Sequence, residues 1–471
     1  MMKLLLDTLG KIVGATGLLT ESGDLAGYVS DWRGRYTGKA LCVALPRDTE
    51  QVSELVKACV AAGVAVLPQG GNTSLSGGAV PYEQGNCVII NLSRMRRIVR
   101  IDPADNSMEV EAGCVLAEIQ AAAIEAGRFF PISLGAEGSC QIGGNIATNA
   151  GGTGVLRYGN TRENVLGLEV VLPDGRIWRG LRTLRKDNTG LDLKQMFIGA
   201  EGTLGIITAA TLKLHPLPGA HAMSWVAPVD VDAALKLLGL FQAACGAQLS
   251  AFELMNASQL DIVLEHVPGQ HAPLAQAHPW HLLVELSDTC DDTRLQDALE
   301  ATLEKGLELG LITDAAIAAN STQREAMWKL RHSVSEGNKK AGIGLTLDTA
   351  VPVSKVPAFI EQATRAIEAN FDARVVVVGH LGDGNIHFIP FFAFDTWQAL
   401  PDQASTAAAV RRAGHDVAAE FNGTFSAEHG VGRTLLAEMR HYKSDVELDM
   451  MRTVKRAFDP LGLLNPGKLI P

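Results

Sequence analysis

The sequence predicts an α+β protein with two folded domains, and three observations carry that prediction. Strands and helices are interleaved through the first half, where glycine repeatedly interrupts them. Beyond a proline-rich break at 215–219, longer helices alternate with apolar strands in a pattern that suggests an antiparallel sheet with helices on one face. The chain then closes with a helical segment. The boundaries read as an N-terminal segment 1–39, a first domain 40–218, a second domain 219–420, and a C-terminal segment 421–471 that packs on the first domain.

Each element follows from local signals. Residues 48–62, DTEQVSELVKACVAA, form an amphipathic helix opened by Asp48 or Thr49 and stopped by Gly63. VAVLP (64–68) is a short buried strand that runs into QGGNTSLSGG (69–78). CVIINL (87–92) is another strand, and SMEVEAG (107–113) alternates with period two. VLAEIQAAAIEAG (115–127) is helical and ends on its glycine. A glycine-rich region, 134–175, closes on a strand whose Pro-Asp-Gly marks a turn. A third piece, 196–218, repeats the GAEG of 135–138 at 199–202 and continues as a strand. In the second domain the strands HLLVELS and ARVVVVG alternate with helices at 232–243, 291–309 and 354–370. A last helix covers about 433 to 458.

Composition excludes several function classes. At 471 residues, 47% hydrophobic and 20% charged, the chain has ordinary globular proportions. A net charge of −11 with no basic stripe argues against nucleic acid. Seven scattered cysteines without a CxxC fit free thiols in a reducing compartment. The apolar start breaks at Asp7, too early for a signal peptide, and no run suggests a membrane span. The expected address is the cytoplasm.

Chemistry is concentrated in GHLGDGNIHF (379–388). Apolar β-branched and aromatic runs flank Asp383-Gly384, a strong hairpin signal. With those two as the central turn residues, Gly382 pairs with Asn385, Leu381 with Ile386, and His380 stands directly opposite His387. Opposed residues share a sheet face, with Cβ atoms roughly 4.5–5.5 Å apart. Two imidazoles so placed can hold one metal ion or can merely stack. A catalytic zinc takes three protein ligands, so a third has to come from elsewhere.

The glycine loops invite a nucleotide, but no GxxxxGK[ST] occurs. The triplets in GIGLTL, GDGNIH and GVGRTL lack the third glycine of GxGxxG. The loop PQGGNTSLSGG can expose successive backbone N–H groups as an anion nest, with Asn72, Thr73 and Ser74 as added donors, or it can be a tight surface turn.

Seven stretches occur in a familiar order: PQGGNTSLSGG, GAEGSCQIGGNIATNAGG, RYGNTRENVLGLEVVLPDG, FIGAEGTLGIIT, GHLGDGNIHF, SAEHGVG and NPGK. Over roughly residues 40–471 the chain resembles the FAD-linked D-2-hydroxyacid dehydrogenases, flavoproteins of the vanillyl-alcohol oxidase type. The hydroxyglutarate enzymes are nearest, with D-lactate dehydrogenases and the glycolate oxidase flavin subunit related. The resemblance implies FAD between two α+β subdomains of the first domain. Gly70, Gly71, Asn72 and Thr73 would meet the phosphates, and Pro68 and Ser74 beside them also belong to the cofactor set. Gly135, Gly138, Ser139, Gly144, Asn145 and Thr148 would line the middle of the cofactor. Glu201, Gly205 and Ile207 would serve the adenine–ribose end or the strand beneath it, and Asn465 of NPGK also belongs to the cofactor set. Asn72 occupies the place where some relatives tether the flavin through histidine, so FAD is expected to be non-covalent.

The resemblance further implies that His380, His387 and Glu428 bind a divalent ion, zinc or manganese, and that His429 is the general base. An ion chelated by the substrate hydroxyl and carboxylate lowers the hydroxyl pKa. His429 would then take the proton, and flavin N5 the hydride. Arg331 and Ser335, four apart on one helical face, would hold a distal carboxylate. Thr346 and Ile389 stand where the hydroxyglutarate enzymes carry Lys and Asn, which favours a shorter or more apolar D-2-hydroxy acid such as D-lactate as a competitor. With no iron–sulfur or haem motif, electrons go to a separate acceptor: an electron-transfer flavoprotein, a quinone or a cytochrome. The resemblance also suggests a homodimer. Other classes open at this stage are a metallohydrolase using the His/His/Glu set, a non-catalytic flavin subunit of a larger complex, and an oxygen-using oxidase.

Overall fold

Residues 2–289 and 292–471 are described by the computed structural model, in two units with separate cores. The first unit holds the chain up to Gly152, Gly159–Leu217 and Glu428–Pro471; the second holds Thr153–Tyr158 and Pro218–Ala427.

The first unit begins with α1 (Met2–Val13), β1 (Leu18–Leu19), α2 (Ser22–Val29), β2 (Cys42–Ala44), α3 (Thr49–Ala61), β3 (Ala65–Gln69) and β4 (Cys87–Asn91). The Asp48 side chain accepts from Gln51 N–H and caps α3, and Gly63 leaves the helix at φ +64°. β2 and β3 run parallel to β4, and β1 adds an antiparallel edge, giving the order β1-β2-β4-β3. Buried on both faces, β4 is a continuous apolar run, as a central parallel strand requires.

A second sheet follows from β5 (Ile98–Asp102), β6 (Ser107–Glu111), α4 (Leu116–Glu125), β7 (Arg128–Phe129) and α5 (Ile142–Thr148). The chain then makes the 153–158 excursion, with α6 (Val155–Tyr158), into the second unit. It returns for β8 (Val165–Val171), β9 (Ile177–Gly180), β10 (Ile206–Lys213) and β11 (His215–Pro216). The order β5-β6-β10-β8-β9 is antiparallel throughout, and β7 pairs with β11. One apolar core joins both sheets to α1, α3, α4 and α5. A Cβ on Gly143 would lie 2.7 Å from the Ala112 Cβ, so α5 can pack this closely only with glycine there.

The second unit contains β12 (Ala220–Pro228), α7 (Val231–Cys245), β13 (Leu249–Asn256), α8 (Ala257–His266), β14 (Trp280–Asp288), α9 (Asp292–Glu308) and β15 (Ile312–Ile317). It continues with α10 (Ser321–His332), α11 (Val334–Ala341), β16 (Ile343–Gly344), β17 (Leu347–Ala350), α12 (Val356–Glu368), β18 (Arg374–His380), β19 (Asn385–Phe392), α13 (Phe394–Gln398) and α14 (Gln403–Glu420). The antiparallel sheet runs β15-β12-β14-β13-β18-β19-β16, and β17 also pairs with β19. Alternation divides it cleanly. Val226, Phe252, Leu254, Val377 and Phe388 pack with α7, α9, α12 and α14, while Trp225, Met255, Val376, Val378 and Ile389 pack with α8, α10 and α11. Helices therefore cover the second face as well as the one anticipated.

The closing segment corrects one expectation. Instead of a single helix over 433–458 there are α15 (Leu436–Tyr442) and α16 (Asp445–Phe458). Ser444 breaks them because its side chain and that of Glu447 form a capping box that starts α16 afresh. Six described cysteines are free thiols, and Cys290 lies outside the described residues.

Candidate active site

Four adjacent strands of the second unit put two carboxylates and two imidazoles in one row. Glu253 on β13 stands directly opposite His380 on β18, and Asp348 on β17 stands directly opposite His387 on β19. All four project from the face that carries Met255, Val378 and Ile389. The central hairpin departs from the expected register. His380 pairs with Asn385 and Val378 with His387, so the loop is the four residues 381–384 rather than the two central residues Asp383-Gly384. The longer loop forms because Asp383 and Gly384 N–H both close back on His380 O, Asp383 Oδ1 accepts from Asn385 N–H, and Gly384 takes φ +83°. The shift is two residues, so both histidines keep their face. Their rings meet diagonally, 5.4 Å apart and nearly perpendicular.

Each imidazole has its Nδ1 toward the neighbouring carboxylate. Glu253 Oε1 is 2.7 Å from His380 Nδ1, and Asp348 Oδ1 is 3.5 Å from His387 Nδ1. Asp348 also accepts from Asn385 Nδ2 at 3.0 Å and from Ala427 N–H at 3.1 Å. Glu253 is 3% exposed, and its second oxygen takes Arg331 Nε at 2.9 Å and Nη2 at 2.6 Å. Burial pushes the Glu253 carboxyl up, but the facing His380 and Arg331 charges outweigh it and hold the group below its ordinary value.

The substrate candidates divide. Arg331 is buried at the end of α10, whereas Ser335 is exposed on α11. They do not share one continuous helix, because α10 ends at Ser333, whose hydroxyl bonds back to Lys329 O. Thr346 lies half-buried in the connection between β16 and β17, and Ile389 is 3% exposed in β19, on the His387 face.

In the first unit, Glu428 and His429 open the loop 428–432. Glu428 Oε2 accepts from Gly152 N–H at 2.7 Å, and His429 O accepts from Ser76 Oγ at 2.6 Å. Glu201 is buried with φ +49°, and its carboxylate accepts from Val431 and Gly432 N–H, each at 2.7 Å. Burial raises its pKa, and those two N–H groups offset part of the rise. Asp348 and His387 offer ligand atoms within 4.8 Å of each other in the second unit, as do Glu428 and His429 in the first.

The cofactor candidates also lie in this unit and fall into two kinds. Pro68 is in β3, and Gly70 to Ser74 form the loop after it, with Ser74 Oγ accepting from Ser76 N–H. A Cβ on Gly71 would lie 2.2 Å from Ser139 O, whereas a Cβ on Gly135, Gly138 or Gly144 would meet nothing within 4 Å. Asn72, at φ +55°, donates its amide to Gly27 O and Ser30 O, so its side chain anchors the end of α2. Ser139 is exposed, and Thr148 back-bonds to Gly144 O within α5. Gly205 packs beneath Val170 and Phe197, and Ile207 is in the core, so both shape the support rather than the loop.

Among the described residues, Gln141 Oε1, Asn145 Oδ1 and Asn465 Oδ1 are buried acceptors without a hydrogen-bond partner in the protein. Asn465 Nδ2 meanwhile donates to Glu201 O. Buried acceptors left this way are costly unless a ligand donates to them. A flavin offers an imide N–H and ribityl hydroxyls, so these residues fit the group. Glu253, Asp348 and Gln141 were missed from sequence. The available signal was a lone acidic residue inside the apolar strands LSAFELMN and TLDTAV.

Two family models match: the FAD binding domain over residues 40–180 and the C-terminal domain of FAD linked oxidases over 218–469. The chain belongs to the FAD-linked oxidases. It is 35% identical over 461 residues to a mitochondrial D-2-hydroxyglutarate dehydrogenase of Arabidopsis thaliana, covering 98% of this chain and 80% of the relative. It is 37% identical to a D-2-hydroxyglutarate dehydrogenase of Xanthomonas citri pv. viticola, covering 98% and 96%. A Schizosaccharomyces pombe protein provisionally named a mitochondrial D-lactate dehydrogenase matches at 34%, covering 98% and 88%. The solved structure of p-cresol methylhydroxylase with substrate bound aligns with a TM-score of 0.79 at 17% identity over 99% of this chain and 96% of that one, which establishes the fold of the vanillyl-alcohol oxidase type. No described helix is long and apolar enough to cross a membrane.

Proposed function

We propose that the chain oxidises a D-2-hydroxy acid to the 2-oxo acid, using non-covalent FAD and a divalent ion, zinc or manganese, held by His380, His387 and Glu428. The observation that carries the reading is the row of two imidazoles on one sheet face, each with a carboxylate behind its Nδ1. Carboxylate–histidine pairing is the usual support of a metal-ligating imidazole. Ala427 N–H is bonded to Asp348, and Glu428 is the next residue of the chain, which supports it as the third ligand. Two neutral imidazoles favour zinc, and the carboxylate also admits manganese.

When bound, the ion supplies an acidified substrate hydroxyl, and the flavin supplies the hydride acceptor. The protein's own work is orientation and proton removal. His429 takes the hydroxyl proton, its backbone fixed by Ser76. Arg331, pinned by Glu253 through Nε and Nη2, would meet a substrate anion with its remaining N–H groups. Ile389 presents an apolar wall beside His387, and Thr346 carries no charge, which supports a tail less polar than that of D-2-hydroxyglutarate. The two acids to separate are D-2-hydroxyglutarate and D-lactate.

Electrons pass to a separate carrier, a reading supported by the lack of any CxxC or haem-attachment sequence. A cytoplasmic address and a homodimer complete it, supported by free thiols and by family resemblance respectively. Turnover of D and L forms of both acids with a dye acceptor tests the reading. Activity restricted to a D form supports it, and activity with neither acid under metal-replete conditions contradicts it.

A further inference from the structure

We propose that Glu253 is a positioning residue shared by the two halves of the substrate site: it sets His380 for the metal and Arg331 for the substrate anion. The inference rests on the metal reading above and goes beyond it by joining two functions through one side chain.

Glu253 is the one charged residue of β13, with Phe252, Leu254 and Met255 buried around it. A carboxylate in that position is held only by well-placed partners, because desolvation opposes its charge. The strands supply one partner by register, since Glu253 and His380 are directly opposed on β13 and β18. The helix α10 supplies the other. Oε1 lies 2.7 Å from His380 Nδ1, while Oε2 takes Arg331 Nε at 2.9 Å and Nη2 at 2.6 Å. An acceptor at Nδ1 places the imidazole proton there and leaves the Nε2 lone pair for a ligand. The same carboxylate occupies one edge of the guanidinium and leaves the remaining edge for a second anion. Asp348 holds His387 less closely, at 3.5 Å, and is engaged by Asn385 and Ala427 as well. His380 therefore depends more on its carboxylate than His387 does.

Glu253→Gln is the informative change, because an amide has one acceptor oxygen and cannot serve both partners. The FAD-loaded protein is titrated with zinc against a chelator, and KM and kcat are measured at saturating metal. Glu253→Gln is expected to bind zinc about 10- to 100-fold more weakly and to raise KM severalfold, with flavin content and kcat at saturation much less affected. Glu253→Asp keeps both oxygens but draws them back by one methylene, and shows the same two losses to a smaller degree. Wild-type zinc affinity and KM in either variant would overturn the proposal, even with a lowered melting temperature, since that pattern marks a structural role only. His387→Ala separates the two layers of the claim. It should abolish zinc binding, and if it does not, the metal reading itself fails whatever Glu253→Gln shows.

Discussion

Asp348 and His387 face each other across the β17–β19 ladder, and the main chain at Ala427 is tied to that same carboxylate. A carboxylate buried to 5% exposure thus meets an imidazole, an amide and a backbone N–H. The arrangement fixes Ala427, the last residue of the second unit.

On the proposed reading, loss of the ion should slow the chemical step. Removing metal with a chelator, or substituting His387→Ala or Glu428→Gln, should cost several kcal/mol of transition-state stabilisation, on the order of 10²- to 10⁴-fold in the rate of flavin reduction. Stopped-flow absorbance measures this directly. Re-addition of zinc or manganese should restore the chelated wild type but not His387→Ala.

His429→Asn should lower kcat by about 10²- to 10⁴-fold while leaving metal content unchanged. An unaltered kcat in the variant would remove His429 from the proton-transfer role.

Thr346→Lys combined with Ile389→Asn should shift preference toward D-2-hydroxyglutarate. A hydrogen bond to a charged group contributes about 1.5–3 kcal/mol, so kcat/KM for hydroxyglutarate relative to D-lactate should rise about 10- to 100-fold. Steady-state kinetics with both acids checks this.

Gly71→Ala tests the cofactor loop. Its Cβ would stand 2.2 Å from Ser139 O, a backbone atom that can move only with its loop. Overpacking of this kind costs about 1–3 kcal/mol. A lower melting temperature together with a reduced flavin-to-protein ratio is expected, and calorimetry with absorbance measures both.

Acid stability should depend on His281. Trp225 Nε1–H donates to His281 Nδ1, which requires a lone pair there, and burial pushes the imidazole down to about 4. The unfolded chain binds that proton below about 6.5. The folded-state value is depressed, so this stabilisation is complete above about 6.5 and is lost as pH falls toward 4, at about 1.4 kcal/mol per pH unit. Melting curves between pH 7.5 and 5 should show a shallower acid slope for His281→Phe than for the wild type.

Much of this architecture is legible in the sequence, and the reason is local. Asp48 before an amphipathic run and alternation in 107–111 are read residue by residue, and a helix and a strand form there. The His380–His387 pairing was misplaced by two residues, yet its consequence survived because side chains alternate with period two. Ser444 and Ser333 broke two helices that periodicity alone had joined. Glu253 and Asp348 were not legible as partners. They lie 127 and 39 positions from the histidines they face, and strand order, which decides such pairings, is not written in either segment. The acceptors Gln141, Asn145 and Asn465 show why the cofactor half was only partly readable: all three stand in recognised motifs, but which motif side chains are buried without a protein partner is decided by packing.

The most direct test is the visible spectrum of the metal-replete protein under anaerobic conditions, before and after addition of D-2-hydroxyglutarate and, separately, D-lactate. The account predicts a yellow flavin band that bleaches with at least one of these acids, not with its L enantiomer, and not after the metal is stripped. A protein that neither carries nor takes up FAD, or a flavin that bleaches equally well without metal, would contradict it.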